Sequence, residues 1–212
     1  MKVPQSLVPQ SLGPTGSANI NILCKLIDLT SALRGDVADC GVFVGGSTVA
    51  MGLYLRQHNI QKTIYGFDSF EGFEEDALKE DLALGGEINE DRRADSYKTT
   101  SFEAVSKKIK RFHRTNIKLV KGFFHESFRA LPHDIRFSFV HMDVNIYSSY
   151  KECLEFFYPL MVRGGIILFD EYNDPPWPGC NKAVDEFTRF RPEKPQMIEM
   201  NNYQKWYLQK VS

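Results

Sequence analysis

Four apolar runs in this sequence end in acidic side chains: Asp39, Asp68, Asp143 and the pair Asp170-Glu171. One such aspartate is ordinary, because it can cap the helix that follows a strand. Four in the same position relative to their runs point to a shared site. Ligands of doubly wound sheets bind at the carboxyl ends of the strands, near the point where strand order reverses. The first run leads into Gly41-Val42-Phe43-Val44-Gly45-Gly46-Ser47. Glycines there let backbone approach a ligand, and the helix that follows presents free amides, with Ser47 as its candidate cap. The turn is neither the GxGxxG of dinucleotide folds nor a P-loop, which requires GK[ST]. An acid ending the second strand suits the two hydroxyls of a ribose, so Asp68 points to an adenosine cofactor. Both NAD and S-adenosylmethionine (SAM) satisfy that feature. His141 lies inside the fourth run, two residues before Asp143. It could act as a general base or be a satisfied core histidine.

The elements that must position these groups follow from periodicity. Apolar spacing predicts helices over 19–33, 47–58, 102–112, 148–161 and 183–190, and strands over 37–42, 63–67, 116–120, 137–142 and 166–169. Gly164-Gly165 reads as a break between the fourth of these helices and the fifth strand. Residues 196–200 and 205–209 read as a closing antiparallel hairpin around Asn201-Asn202. Strands alternating with helices imply an α/β fold, a doubly wound, mostly parallel, Rossmann-like sheet with both faces covered. Residues 1–17 repeat Pro-Gln-Ser-Leu and are rich in Pro, Ser and Gly, which predicts a flexible arm before one domain over 18–212. Residues 71–100 show little periodicity before Tyr97 and read as a lid or substrate loop. Trp177, in a Pro-rich turn, could stack on a substrate ring or pin the turn to the sheet.

Composition narrows the partners. With 26 basic and 27 acidic side chains in 212 residues, nothing draws the chain toward nucleic acid or an anionic membrane. No apolar run approaches the roughly 20 residues of a membrane span. The first 17 residues hold no apolar segment of a secretory signal. The four cysteines form no CxxC pair, which suggests neither zinc nor a disulfide framework and favours a reducing cytoplasm.

The motifs together resemble a known family. Gly35-Asp36-Val37-Ala38-Asp39-Cys40-Gly41-Val42 with Gly45-Gly46-Ser47 is similar to the first SAM motif of macrocin O-methyltransferase-like (TylF/MycF-type) enzymes. Phe67-Asp68-Ser69-Phe70-Glu71-Gly72 resembles their second motif, and Val120-Lys121-Gly122-Phe123-Phe124 their third. Asp143-Val144-Asn145-Ile146-Tyr147 resembles their Asp-x-Asp-x-Tyr signature, and Gly164-Gly165 through Phe169-Asp170-Glu171-Tyr172 their last motif. The resemblance runs from about Gly35 to Phe190. It implies a class I methyltransferase that moves a methyl group from SAM to a hydroxyl, often on a sugar of a natural product. The implied cofactor residues are Asp39, Gly41, Gly45, Gly46, Ser47, Asp68, Ser69, Phe70, Gly122 and Phe123. The implied magnesium ligands are Asp143, Asp170 and Glu171, with Asp143 or His141 as the catalytic group. Oxygen donors suit magnesium, which polarises a bound hydroxyl. Two positions depart from the family pattern: Glu171 stands where many relatives have Asp, and Asn145 replaces the second aspartate of the strand-four signature. The resemblance also allows a homo-oligomer.

Other functions compete. A metal-independent SAM enzyme would use His141 or Asp143 as a general base. An NAD-dependent oxidoreductase lacks its glycine fingerprint and a Tyr-x-x-x-Lys pair here. A non-catalytic SAM-binding module would have little need of the full set of strand-end acids.

Overall fold

The computed structural model describes residues 16–85, 97–112 and 116–211. Most of the expected arm, and residues 86–96 of the expected loop, lie outside these.

Seven strands form one sheet: β1 (Asp36–Cys40), β2 (Ile64–Asp68), β3 (Ile117–Lys121), β4 (Phe137–Met142), β5 (Met161–Phe169), β6 (Gln196–Met200) and β7 (Tyr203–Gln209). Their order is β3-β2-β1-β4-β5-β7-β6. The first five are parallel, and β7 runs antiparallel between β5 and β6. Strand order reverses between β1 and β4, which places a crevice at their carboxyl ends. Val37 and Phe139 face one buried cluster, while Ala38, Cys40, Val140 and Met142 face the other. Both faces are therefore covered. Helices α1 (Ser17–Thr30) and α2 (Gly46–Gln57) pack on the first, and α6 (Tyr147–Leu160) and α7 (Pro178–Thr188) on the second. No helix among the described residues is long and apolar enough to cross a membrane.

Several sequence expectations need adjustment. The glycine pair at 164–165 does not precede β5 but lies within it. The β4–β5 register shifts from Phe137↔Met161 to Phe139↔Ile166, a bulge in which Gly164 takes φ +81° and a Cβ at Gly165 would lie 2.9 Å from the Val162 carbonyl oxygen. The C-terminal hairpin turns at Asn201 and Asn202, with φ of 55° and 60°. Two left-handed residues match the twist of a two-residue hairpin, and asparagine tolerates that conformation. Residues 71–85 are not plain loop. Helix α3 (Glu75–Ala83) starts with Glu75 and Asp76, which favour a helix amino terminus. The carboxylate of Asp81 on α3 accepts the amide of Tyr147 at 2.8 Å, capping α6 from another helix. Helix α4 (Phe102–Arg111) is capped by Ser101, whose hydroxyl accepts from the Ala104 amide at 3.2 Å. Its basic side is partly used, because Lys108 donates to the Val44 carbonyl at 2.7 Å. The remaining short helix, α5 (Phe124–Ser127), follows β3.

Hydrogen bonds continue past the strand ends. The amide of Asp143 donates to the Cys40 carbonyl at 2.9 Å, that of Asp170 to Met142 at 2.9 Å, and that of Gly122 to Asp68 at 3.0 Å. The strand-end acids are thus held in register by their own backbones.

Candidate active site

A cavity of roughly 530 Å³ opens at the carboxyl ends of β1, β2, β4 and β5. That is within the usual size of small-molecule sites, about 300–1,000 Å³. Gly41, Gly46, Ser47, Asp68, Ser69, Gly122, Phe123, Asp143 and Asp170 all line it. Residues far apart in sequence therefore converge as the strand-end rule requires.

Asp68 is built into the first side of the cavity. Its Oδ2 accepts the amide of Phe43 at 2.7 Å and its Oδ1 that of Phe70 at 2.7 Å. Both donors sit at positive φ, 47° and 56°. Such backbone costs about 1–3 kcal/mol per residue and persists where surroundings over-determine it. Burial raises the Asp68 pKa, while the two amides act to lower it. The Val42 amide acts on the same carboxylate in the same direction. Ser69 lines the cavity, but its hydroxyl donates to the Gly72 carbonyl at 2.9 Å.

The glycine turn is more divided than expected. Gly41 has φ +89°, and a Cβ there would lie 1.8 Å from the Asp143 carbonyl oxygen. Its smallness is required by neighbouring backbone. Gly45 does not line the cavity. It is the left-handed cap residue of α2, and a Cβ would meet Val105 of α4 at 3.0 Å. Ser47 does not cap α2 either: its hydroxyl donates to Asp39 Oδ2 at 2.9 Å. Phe70 faces away, buried against Val42, Val105 and Phe102. Trp177 is buried in the core at the position preceding α7, so it pins its turn.

Behind the cavity runs a buried charged relay. Asp39 is fully buried, and its Oδ2 accepts the hydroxyls of Ser47 and Thr48. Its Oδ1 lies 2.7 Å from His141 Nδ1. His141 Nε2 lies 3.5 Å from Asp170 Oδ1. Neither Asp39 nor His141 lines the cavity, so both act on it only through other groups. Burial acts to lower the His141 pKa, but the hydrogen bonds of Asp170 and Asp39 prevail and raise it to about 10. With a carboxylate on each ring nitrogen, the imidazole is a donor twice over and poorly suited to accept a proton.

Asp170 is the most contested carboxylate. Asn19 Nδ2 donates to its Oδ1 at 3.0 Å, and Lys205 Nζ lies 2.8 Å from its Oδ2. Lys205 also donates to the Asp170 carbonyl. Burial raises the Asp170 pKa, yet His141 and Lys205 outweigh it and hold the carboxyl well below its usual range. Asp143, open to the cavity, is pushed up to about 6 by burial and by the charge of Asp170.

The residues fit a divalent cation in part. Donor atoms of His141, Asp143 and Asp170 all lie within 4.8 Å of one another. Glu171 is not in that set. It is 3 % exposed, and one of its oxygens accepts the Tyr150 hydroxyl. Burial, then Asp143 and Asp170, raise its pKa. The longer side chain turns into the core and shares its environment with Asp143 instead of facing the cavity. Two oxygen donors therefore remain, Asp143 and the last lone-pair site of Asp170, which suit an ion that keeps several waters.

Asn19 and Lys205 were not apparent from the motifs. Asn19 shares a helical face with Ile20 and Leu23, a polar residue on a buried stripe. Lys205 is one step beyond the Phe169↔Trp206 pair, opposite Asp170. Each breaks its local pattern, which is the signal that could have found it.

A seven-stranded, mostly parallel sheet with this order and a glycine-lined crevice between β1 and β4 is the Rossmann-like methyltransferase fold. The chain belongs to the family described as Macrocin-O-methyltransferase (TylF), whose model matches residues 11–209. It is 28 % identical over 156 residues to demethyldecarbamoylnovobiocin O-methyltransferase of Streptomyces niveus, covering 72 % of this chain and 58 % of that protein. It is 26 % identical over 180 residues to mycinamicin III 3''-O-methyltransferase of Micromonospora griseorubida, covering 81 % and 68 %. This chain thus spans well under two thirds of the first of these relatives. Among solved structures, the O-methyltransferase NovP superimposes with a TM-score of 0.78 at 23 % identity, over 93 % of this chain and 81 % of that one.

Proposed function

We propose that this chain transfers a methyl group from SAM to a hydroxyl on a sugar moiety of a natural product or glycan, assisted by a magnesium ion. The observation that carries the reading is the convergence of Asp68, Asp143 and Asp170 on one cavity beside the Gly41–Ser47 turn. Family membership supports the reaction class, and the named relatives support the acceptor class.

When bound, SAM supplies an electrophilic methyl on sulfur, and magnesium lowers the pKa of a hydroxyl. The rest of the task falls to the chain. Asp68 would accept the ribose hydroxyls, and the cavity-lining residues of the Gly41–Ser47 turn, Gly45 excepted, would hold the methionine portion. Asp143 and Asp170 would hold the cation. Asp143 would also take the proton of the acceptor hydroxyl. Placement of these groups is itself a large part of catalysis.

Excess chelator should abolish methyl transfer to a glycoside panel, read by mass spectrometry, while calorimetry shows S-adenosylhomocysteine (SAH) still binding. Asp170→Asn should behave in the same way. Full turnover in chelator would remove the metal from the proposal and leave Asp143 as a plain general base, since His141 is held between two carboxylates.

A further inference from the structure

We infer that Lys108, on α4 and outside the cavity, is a positioning residue for the cofactor: its ammonium holds the Val44 carbonyl and so fixes the aim of the first amides of α2. This rests on the methyl-transfer reading and concerns the same site.

One peptide of the turn between β1 and α2 is held at both ends. The Gly45 amide donates to the Val42 carbonyl at 2.7 Å, and the Val44 carbonyl of the same peptide accepts from Lys108 Nζ at 2.7 Å. Sterics do not fix this peptide, because Gly45 sits at φ +80° and glycine takes either sign of φ with similar ease. Hydrogen bonds must therefore choose its orientation. The choice matters one residue later. Gly46 and Ser47 begin α2 and line the cavity. Amides in the first turn of a helix have no intrahelical acceptor, and the cap residue Gly45 has no side chain to supply one. The first bond back along the helix runs from the Val49 amide to the Gly45 carbonyl at 3.1 Å. The Gly46 and Ser47 amides are thus donors for the methionine portion, and their aim follows the Val44–Gly45 peptide.

Lys108 reaches the turn from a helix shaped to meet it. Phe102, Val105 and Ile109 follow one another at spacings of three and four and pack with Val42 and Phe70. Lys108 stands three residues after Val105, a partly buried lysine on that apolar side, whereas Lys107 and Lys110 are exposed. A Cβ on Gly45 would meet Val105 Cγ1 at 3.0 Å and Lys108 Cδ at 3.9 Å, so the lysine stem packs on the turn beside Val105. Burial lowers the Lys108 pKa, a desolvation that a solvated lysine avoids and that the carbonyl offsets here. The same helix touches the other half of the cofactor site by a separate contact. The Phe102 ring meets Phe70 edge-on at 5.8 Å, and the Phe70 amide donates to Asp68. Removing the Lys108 donor should therefore disturb the methionine half and spare the ribose half.

The test is calorimetry on the full chain with SAH and with 5'-methylthioadenosine, which keeps the adenosine and lacks the amino-acid portion. Lys108→Met keeps the stem and removes the donor. It should weaken SAH about tenfold, the scale of one charge-assisted hydrogen bond, and methylthioadenosine by less than about twofold. Lys108→Leu should give the same pattern and serves if the methionine variant does not fold. Lys108→Arg restores a charged donor and should bring SAH affinity back to within about threefold of the wild type. Unchanged SAH affinity without the donor, a loss shared equally by both ligands, or no recovery with arginine would each overturn the inference alone. Wild-type protein that binds neither ligand would overturn the methyl-transfer reading and the inference with it.

Discussion

Lys62 and Lys205 are buried at opposite ends of the sheet, with exposures of 6 % and 7 %. Their surroundings differ in kind. Lys62, near the amino ends, donates to the carbonyls of Leu33 and Gly35 at 2.6 and 2.8 Å and to the Ser138 hydroxyl at 3.0 Å. Its partners are neutral dipoles, and burial pulls its pKa down, with Asp36 opposing. Lys205, at the carboxyl ends, faces the Asp170 carboxylate at 2.8 Å. Burial acts in the same direction there, but Asp170 overcomes it and raises the pKa. One lysine ties loops together at the end of the sheet away from the cavity. The other holds a full charge in place beside the cavity. Burial alone says nothing about function; the charge of the partner does.

The largest effect should come from breaking the charged pair. Removing one member of a buried ion pair typically costs about 3–5 kcal/mol, because the other is left uncompensated. Lys205→Met should lose stability on that scale in urea denaturation. Adding Asp170→Asn to the same chain should restore much of it, since the orphaned charge is then gone. If Lys205→Met alone costs no more than the corresponding change at Lys62, the contrast between the two ends collapses.

A carboxylate turned toward a ligand should behave differently from one turned toward a lysine. Asp68→Ala removes a charge-assisted acceptor, for which about 1.5–3 kcal/mol of SAH affinity is expected. Calorimetry on the folded variant checks this. Unchanged affinity would mean that Asp68 serves only to hold Phe43 and Phe70 in their left-handed conformations.

How much of this was legible depended on whether a residue's role was local. The strand-end acids could be read because each closes an apolar run, and the topology then brings them together without further information. β4 fell on the expected residues, and the hairpin turn at Asn201-Asn202 followed from its chemistry. Asp39 was legible as a strand-end acid but not as a buried one, because its partners Ser47, Thr48 and His141 come from two other elements. Glu171 was misplaced for a related reason: which way a side chain turns at a strand end is set by Tyr150 of α6. Helix α3 carries few apolar residues; besides the packing of Ala77, Leu78 and Leu82 it is tied to the body by Asp81 capping α6, a contact no periodicity encodes.

The smallest effect is expected at Lys62, and it sharpens the comparison most. Lys62→Met keeps the aliphatic stem and removes only the ammonium. Its acceptors are two carbonyls and a hydroxyl, and the Ser138 hydroxyl can still donate to Gly35 or Asp36, each at 3.3 Å. No formal charge is stranded. The loss should therefore be about 1–2 kcal/mol, the scale of neutral hydrogen-bond partners left imperfectly satisfied. SAH affinity should not move, because the substitution lies at the end of the sheet away from the cavity. A loss as large as that at Lys205 would mean that the ammonium is compensated chiefly by Asp36, whose charge acts to raise the Lys62 pKa. A changed SAH affinity would mean that the amino-end clamp sets the register of β1 and β4, and through it the spacing of Asp39 and His141.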